Sequence, residues 1–244
     1  MRSLFGRLRP HRLVPRSLVT AARQWSYLME MSDWIGGHRA QDLDVGYDRF
    51  QLFDLVAVRE GLDREAIEYL EFGTAGGAAL RWWLARNPAP GSRFHSFDTF
   101  TGLPEDWGGI KAGTFTQGGR TPEVGGDPRV SFHVGLFNRT LPGHLLQPRP
   151  PRRLVVHVDP DLYSSTLYVL TMLAPWLRAD DILLMADFCS MRHPTHVFRA
   201  FHDFVAAYGL AYEVLASSNF GHQMVARVTA APVDARSALE PTKP

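Results

Sequence analysis

The sequence predicts an α/β fold built on a doubly wound, mainly parallel sheet. Three observations point to it. Five short apolar runs, "AIEYLEFG", "SRFHSFD", "RVSFHVG", "RRLVVHVD" and "DILLMADF", are bounded by polar or turn residues. Runs of that length and continuity suit strands buried on both faces, as in parallel sheets. Segments with helical spacing lie between several of them, the alternation that makes βαβ units. Two further runs, "AYEVLAS" and "HQMVARVTA", are separated only by "SNFG". So short a link makes a hairpin, which puts one antiparallel strand near the C-terminus and brings the expected count to seven.

Taken in order, "DRFQLFDLVAVREGL" has apolar residues at Phe50, Leu52, Phe53, Leu55 and Val56, a helical spacing closed by Gly61. The first strand follows and ends near Gly73. "AALRWWLARNP" is a helix stopped by Pro88. The second strand ends at Asp98, the third near Gly135 and the fourth at Asp159. "SSTLYVLTMLAPWL" is helical, with Ser164 or Ser165 as N-cap. The fifth strand ends near Asp187, and "HVFRAFHDFVAAYG" is a helix with Gly209 as C-cap. The Gly- and Pro-rich stretch over 102–128 is too long for an ordinary turn. Such loops are lids, binding loops or disorder.

Bulk properties narrow the field. The 244 residues are enough for one sizeable core, and 45% hydrophobic with 21% charged content is ordinary for a globular protein. A formal net charge of +1 gives no electrostatic argument for nucleic acid. No apolar run is long enough to cross a bilayer. The single cysteine, Cys189, rules out an intrachain disulfide framework and suits a reducing, cytoplasmic setting. Arg2, Arg7, Arg9, Arg12, Arg16 and Arg23 all precede the first acidic residue, Glu30. The expected organisation is a basic leader over 1–40, read first as a flexible segment and alternatively as a membrane-surface arm or targeting peptide, then one domain over 41–230 and a polar tail over 231–244.

In open parallel sheets, ligands bind beyond the carboxyl ends of the strands, where the strand order reverses. The strand ends here carry Glu71 and Gly73, then Asp98, Gly135, Asp159 with Asp161, and Asp187. A carboxylate at a helix-covered strand end is poorly solvated, so function is the usual reason to keep it there. Gly73, Gly76 and Gly77 let a backbone approach a ligand, and they equally suit tight strand–helix packing. Asp98 lies about 20 positions past Gly77, at the end of the next strand, where an acid accepts hydrogen bonds from ribose hydroxyls. The pair favours a nucleoside ligand. The dinucleotide pattern G-x-G-x-x-G is absent, and no G-x-x-x-x-G-K-[ST] marks a P-loop.

The spacing from Glu71 through Gly73 to Gly77 is instead E-x-G-x-x-x-G. Three more segments join it: "RFHSFDTFTGLPEDW", "HVGLFNRTLPGHL" and "VHVDPDLYSSTLYVL". Together they resemble the macrocin O-methyltransferase-like (TylF-type) family of class I S-adenosylmethionine (SAM)-dependent methyltransferases, over residues 45 to 228. The resemblance implies a Rossmann-like fold and an O-methyltransferase acting on a small hydroxylated acceptor, a sugar or glycosylated natural product. It implies that Glu71, Gly73, Thr74, Ala75 and Gly77 line the methionine and ribose of SAM. Asp98 would hold the ribose, with Thr99, Phe100, Gly135 and Leu136 around the adenine. Asp159 would sit nearest the sulfonium, and Asp161 would be the general base. Members resembling this pattern often bind Mg2+ through the first Asp of "D-x-D-x-Y" and an acidic pair at the fifth strand's end. Here those positions are Asp159 and, for the pair, Ala186 and Asp187. Asp159 and Asp187 alone are a sparse cage for a hard cation.

Other residues carry competing readings. Asp161 equally suits a helix N-terminus facing the macrodipole. His193 and His196 are loop residues or an alternative base. His157 reads as a packed core histidine, Cys189 as small and packed, and Trp82 and Trp83 as core. Tyr163 fits either role. Ala186 also motivates a SAM-binding partner or sensor without transfer activity. A nucleotide- or NAD-dependent enzyme fits the same sheet, and assembly as a homo-oligomer is open.

Overall fold

The computed structural model describes residues 14–43 and 48–232. Arg2, Arg7, Arg9 and Arg12, and all of the expected tail beyond residue 232, lie outside them. The strands are β1 (Asp42–Leu43), β2 (Ile67–Phe72), β3 (Arg93–Asp98), β4 (Val130–Val134), β5 (Arg153–Val158), β6 (Ile182–Met185), β7 (Ala211–Ser218) and β8 (Gln223–Ala230). The helices are α1 (Arg16–Gly37), α2 (Arg49–Arg59), α3 (Ala78–Arg86), α4 (Phe137–Leu145), α5 (Tyr163–Leu173) and α6 (Val197–Tyr208). Among the described residues, no helix is long and apolar enough to cross a membrane.

The sheet order is β1-β7-β8-β6-β5-β2-β3-β4. Only β8 runs antiparallel, to both β6 and β7. The order reverses between β2 and β5, so their carboxyl ends, Gly73 and Asp159, frame the switch point. The apolar runs are strands because both faces are covered. Leu70, Phe72, Val156 and Val158 pack with α1, α4, α5 and α6. Ile67, Tyr69 and Val155 pack with α2 and α3. The seven expected strands are present with the expected direction. A short eighth, β1, pairs parallel with β7.

Three local expectations need correction. Residues 16–37 of the arginine-rich segment form α1, which buries Met31 and Trp34 in the larger core. Nothing was expected helical between the third and fourth strands, yet α4 forms over "FNRTLPGHL" despite Pro142 inside it. Its amphipathic pattern buries Leu141 completely, and that burial outweighs the missing proline N–H. Finally, α5 starts at Tyr163, and its N-cap is Leu162 with no side-chain cap bond. The turn at Asp161, with φ +61°, brings the chain into the helix before either serine.

Candidate active site

A cavity of about 630 Å3 opens at the carboxyl ends of β2, β3, β5 and β6. Its wall takes Gly73 and Ala75 after β2, Asp98 and Thr99 after β3, and Asp159, Asp161 and Asp187 after β5 and β6. Leu136, Phe137 and Asn138 supply the entry to α4, and Ser164, Ser165 and Tyr168 one side of α5.

The turn after β2 is shaped by backbone bonds. Gly73 has φ +91°, and its N–H donates to the Phe97 carbonyl at 3.0 Å. Gly77, with φ +75°, starts α3. Between them Ala75 takes φ +44° and donates its N–H to Asp98 Oδ2 at 2.8 Å. The Phe100 N–H donates to Asp98 Oδ1 at 2.7 Å. Asp98 therefore ties the β2 and β3 turns together while facing the cavity. Thr74 stays behind this wall, its hydroxyl 2.7 Å from that of Ser96. Phe100 is fully buried and packs edge-on against Phe132, so its backbone alone shapes the turn.

On the other side three carboxylates converge. Asp159, Asp161 and Asp187 each place an oxygen within 4.8 Å of the others. Asp161 and Asp187 both adopt left-handed backbone, at φ +61° and +48°. With Ala75 and Phe115 in the wall and Phe100 just behind it, that makes five non-glycine residues of this kind at one cavity, the clustering expected where strain serves a site. Burial pushes Asp161 up to about 8, and the charges of Asp159 and Asp187 push the same way. Asp159 is raised to about 6 by burial, although the Arg49 guanidinium opposes the rise. Arg49 Nη1 donates to Asp159 Oδ2 at 2.6 Å. His222 Nε2 lies 3.0 Å from Asp187 Oδ1.

Glu71 is brought near but not in. Its position on β2 turns it toward the α2–α3 face, where it accepts from the Tyr69 hydroxyl at 3.1 Å. That hydroxyl also lies 3.0 Å from His157 Nδ1. Burial raises the Glu71 carboxyl well above the usual range and pushes His157 down to about 3. His157 is thus the packed histidine its strand position predicts. Gly135, with φ +143°, donates its N–H to the Asp98 carbonyl and leads into Leu136 at the wall.

Arg49 and the loop side chains were not singled out in the sequence. The loop after β3 gives Leu103, Pro104, Trp107 and Phe115 to the wall. Trp107 is held by stacking on His193 at 4.2 Å, and Ser164 Oγ donates to Glu105 Oε1 at 2.7 Å. His193 and His196 therefore pack around the loop, and neither is in the cavity wall. Cys189 is buried, and burial pushes its thiol up, leaving it an inert packing residue. Tyr163 donates to Asp203 at 2.9 Å, outside the wall.

No protein-family model matches the chain, and no curated protein matches it. Solved structures do. The calicheamicin methyltransferase CalS11 is 22% identical, with 83% of this chain and 91% of that one covered and a TM-score of 0.54. The O-methyltransferase NovP is 19% identical, covering 84% and 99%, with a TM-score of 0.54. The O-methyltransferase TomG from Streptomyces achromogenes, in complex with SAM and involved in tomaymycin synthesis, is 20% identical over 82% and 89%, with a TM-score of 0.50. The chain has the mainly parallel, Rossmann-like fold that these O-methyltransferases share.

Proposed function

We propose that this protein is a SAM-dependent O-methyltransferase of the macrocin O-methyltransferase-like type. Its acceptor would be a hydroxyl of a small molecule, a sugar or glycosylated natural product. The observation that carries the reading is one cavity with Asp98 on one wall and the proton-hungry Asp161 on the other. The first suits a ribose diol, and the second suits a hydroxyl that must lose its proton. CalS11, also described as a TDP-rhamnose 3'-O-methyltransferase, supports a sugar acceptor by its likeness in fold.

In this reading Gly73, Ala75 and Asp98 hold the methionine and ribose of SAM, with Thr99 and Leu136 along the adenine. The acceptor lies between the sulfonium and Asp161. Bound there, SAM would supply an electrophilic methyl group for the acceptor oxygen and a neutral thioether as leaving group. Asp161 takes the hydroxyl proton. Asp159, held by Arg49, orients the acceptor beside it. Positioning in the cavity would supply much of the rate, because a sulfonium is already a good leaving group.

The acidic cluster also fits a hard divalent cation. Asp159 and Asp187 would offer it carboxylate oxygens, within 4.8 Å of the Asp161 oxygen that takes the proton. Mg2+ held there would orient acceptor hydroxyls and make one easier to deprotonate.

Titration calorimetry with SAM, followed by transfer of labelled methyl to hydroxylated sugars with and without Mg2+, tests the proposal. We expect SAM to bind, and Asp98→Ala to weaken it at least tenfold, because the variant loses a ribose anchor and frees the Ala75 and Phe100 N–H groups. Binding without turnover would favour a sensor or partner role. Thermal stabilisation by NAD and not by SAM would overturn the reading.

A further inference from the structure

A second cluster of ligating side chains lies outside the cavity, where α4 crosses β3 and β4. One nitrogen of each of His95, His133 and His144 lies within 4.8 Å of the others. None of the three lines the cavity. We propose that these imidazoles form a site for a divalent transition metal of the zinc class, distinct from the carboxylate cluster.

The tautomers follow from the neighbours. Glu68 is buried on β2 and receives two bonds from Arg152, at 3.0 and 2.6 Å. A carboxylate only accepts, so His95 Nε2, 3.0 Å from Glu68 Oε1, carries the proton. Its other nitrogen, Nδ1, faces His133 Nε2 at 3.1 Å. At metal–nitrogen distances of about 2.0–2.1 Å, tetrahedral geometry puts two imidazole nitrogens about 3.3 Å apart. The existing spacing therefore needs little adjustment to admit an ion.

The third imidazole is poised for the same place. His144 Nε2 is buried and has no hydrogen-bond partner among the described residues, and its ring centre is 4.5 Å from that of His95. A ligating histidine whose other N–H is held by a carboxylate is the usual arrangement around zinc, and His95 with Glu68 reproduces it. The setting is aromatic: Phe97 stacks on His133 at 4.2 Å, and Trp176 lies 5.4 Å from His144. Imidazole donors in such a shell select zinc, cobalt, nickel or copper over magnesium.

An ion held there would pin α4 to the sheet. Because Phe137 and Asn138, in the first turn of α4, line the cavity, occupancy would stiffen that wall.

The test is Co2+ titration of the chelator-stripped full chain. The expected result is one equivalent with the intense visible bands of tetrahedral cobalt, displaced by Zn2+. His144→Ala, on a half-buried helix position, should weaken binding at least tenfold. Glu68→Gln should weaken it about 10- to 100-fold, and Asp187→Asn should leave it unchanged. His133→Gln provides a second ligand variant if thermal melting shows His144→Ala misfolded. Only weak, octahedral-type bands in the wild type would overturn the proposal, as would bands lost in Asp187→Asn and kept in both histidine variants.

Discussion

Asp161→Asn is expected to slow methyl transfer by orders of magnitude and to make the protein harder to melt. The two effects share one cause. The Asp161 carboxyl is raised from 3.8 to about 8 because burial and two neighbouring carboxylates penalise its charge. The unfolded chain feels no such penalty. Below about pH 4 both states hold the proton and the site costs nothing. As pH rises toward 8 the unfolded chain loses its proton first, and the native state falls behind. Each unit of pKa difference is about 1.4 kcal/mol, so the gap reaches a few kcal/mol at pH 8 after solvent screening.

Asparagine mimics the protonated acid and never charges, so it removes this cost. For a chain of this size a kcal/mol moves the melting temperature by about 2–4 °C. Asp161→Asn should therefore melt roughly 5–10 °C above wild type at pH 8 and nearly level with it at pH 5. Its transfer rate should fall about 10²–10⁴-fold for want of a base. An advantage in melting that is equal at both pH values would show that the carboxyl is not held up by its surroundings. Full activity in the variant would remove Asp161 from the chemistry.

The fold was readable from sequence because its strands are buried on both faces, which makes each a continuous apolar run. The direction of the last strands was readable because "SNFG" is too short for anything but a hairpin. The elements that escaped lack such a pattern. In α1 only Met31 and Trp34 are buried, among arginines and polar residues. In α4, Pro142 and Gly143 hide a helix that depends on Leu141. The site divides the same way. Asp98, Asp159, Asp161 and Asp187 were visible because each ends a strand or follows one closely. Arg49 was not, because its partner Asp159 lies 110 positions away and only the packing of α2 brings them together. Glu71 shows the converse. A residue beside the glycine turn looks like a ligand in one dimension, yet strand alternation carries its side chain to Tyr69 behind the cavity.

Gly73→Ala should be severely damaging for a single added methyl, and comparison with Gly125→Ala shows why. Both positions have positive φ, +91° and +65°. Placing an L side chain there costs about 1–2 kcal/mol in either case. A Cβ on Gly125 meets nothing within 4 Å. On Gly73 it would overlap the Asp159 carbonyl oxygen and lie 2.7 Å from the carbonyl carbon and 3.1 Å from Pro160 N. These are backbone atoms, so no side-chain rotation relieves the clash. The ends of β2 and β5 would have to part, straining the bond from Asp159 N–H to the Phe72 carbonyl, now 2.9 Å. Overpacking of this kind adds about 1–3 kcal/mol or more. Gly125→Ala should thus melt about 2–8 °C below wild type, and Gly73→Ala 10 °C or more below it. The displaced segment carries Asp159 and Asp161, so transfer by Gly73→Ala should fail even at temperatures where it is folded, while Gly125→Ala keeps its activity. If the two variants melted alike, strand separation at the switch point would not be what makes glycine necessary there. On the proposed reading, the close approach of β2 and β5 would let SAM bound over Gly73 reach the carboxylates beyond β5.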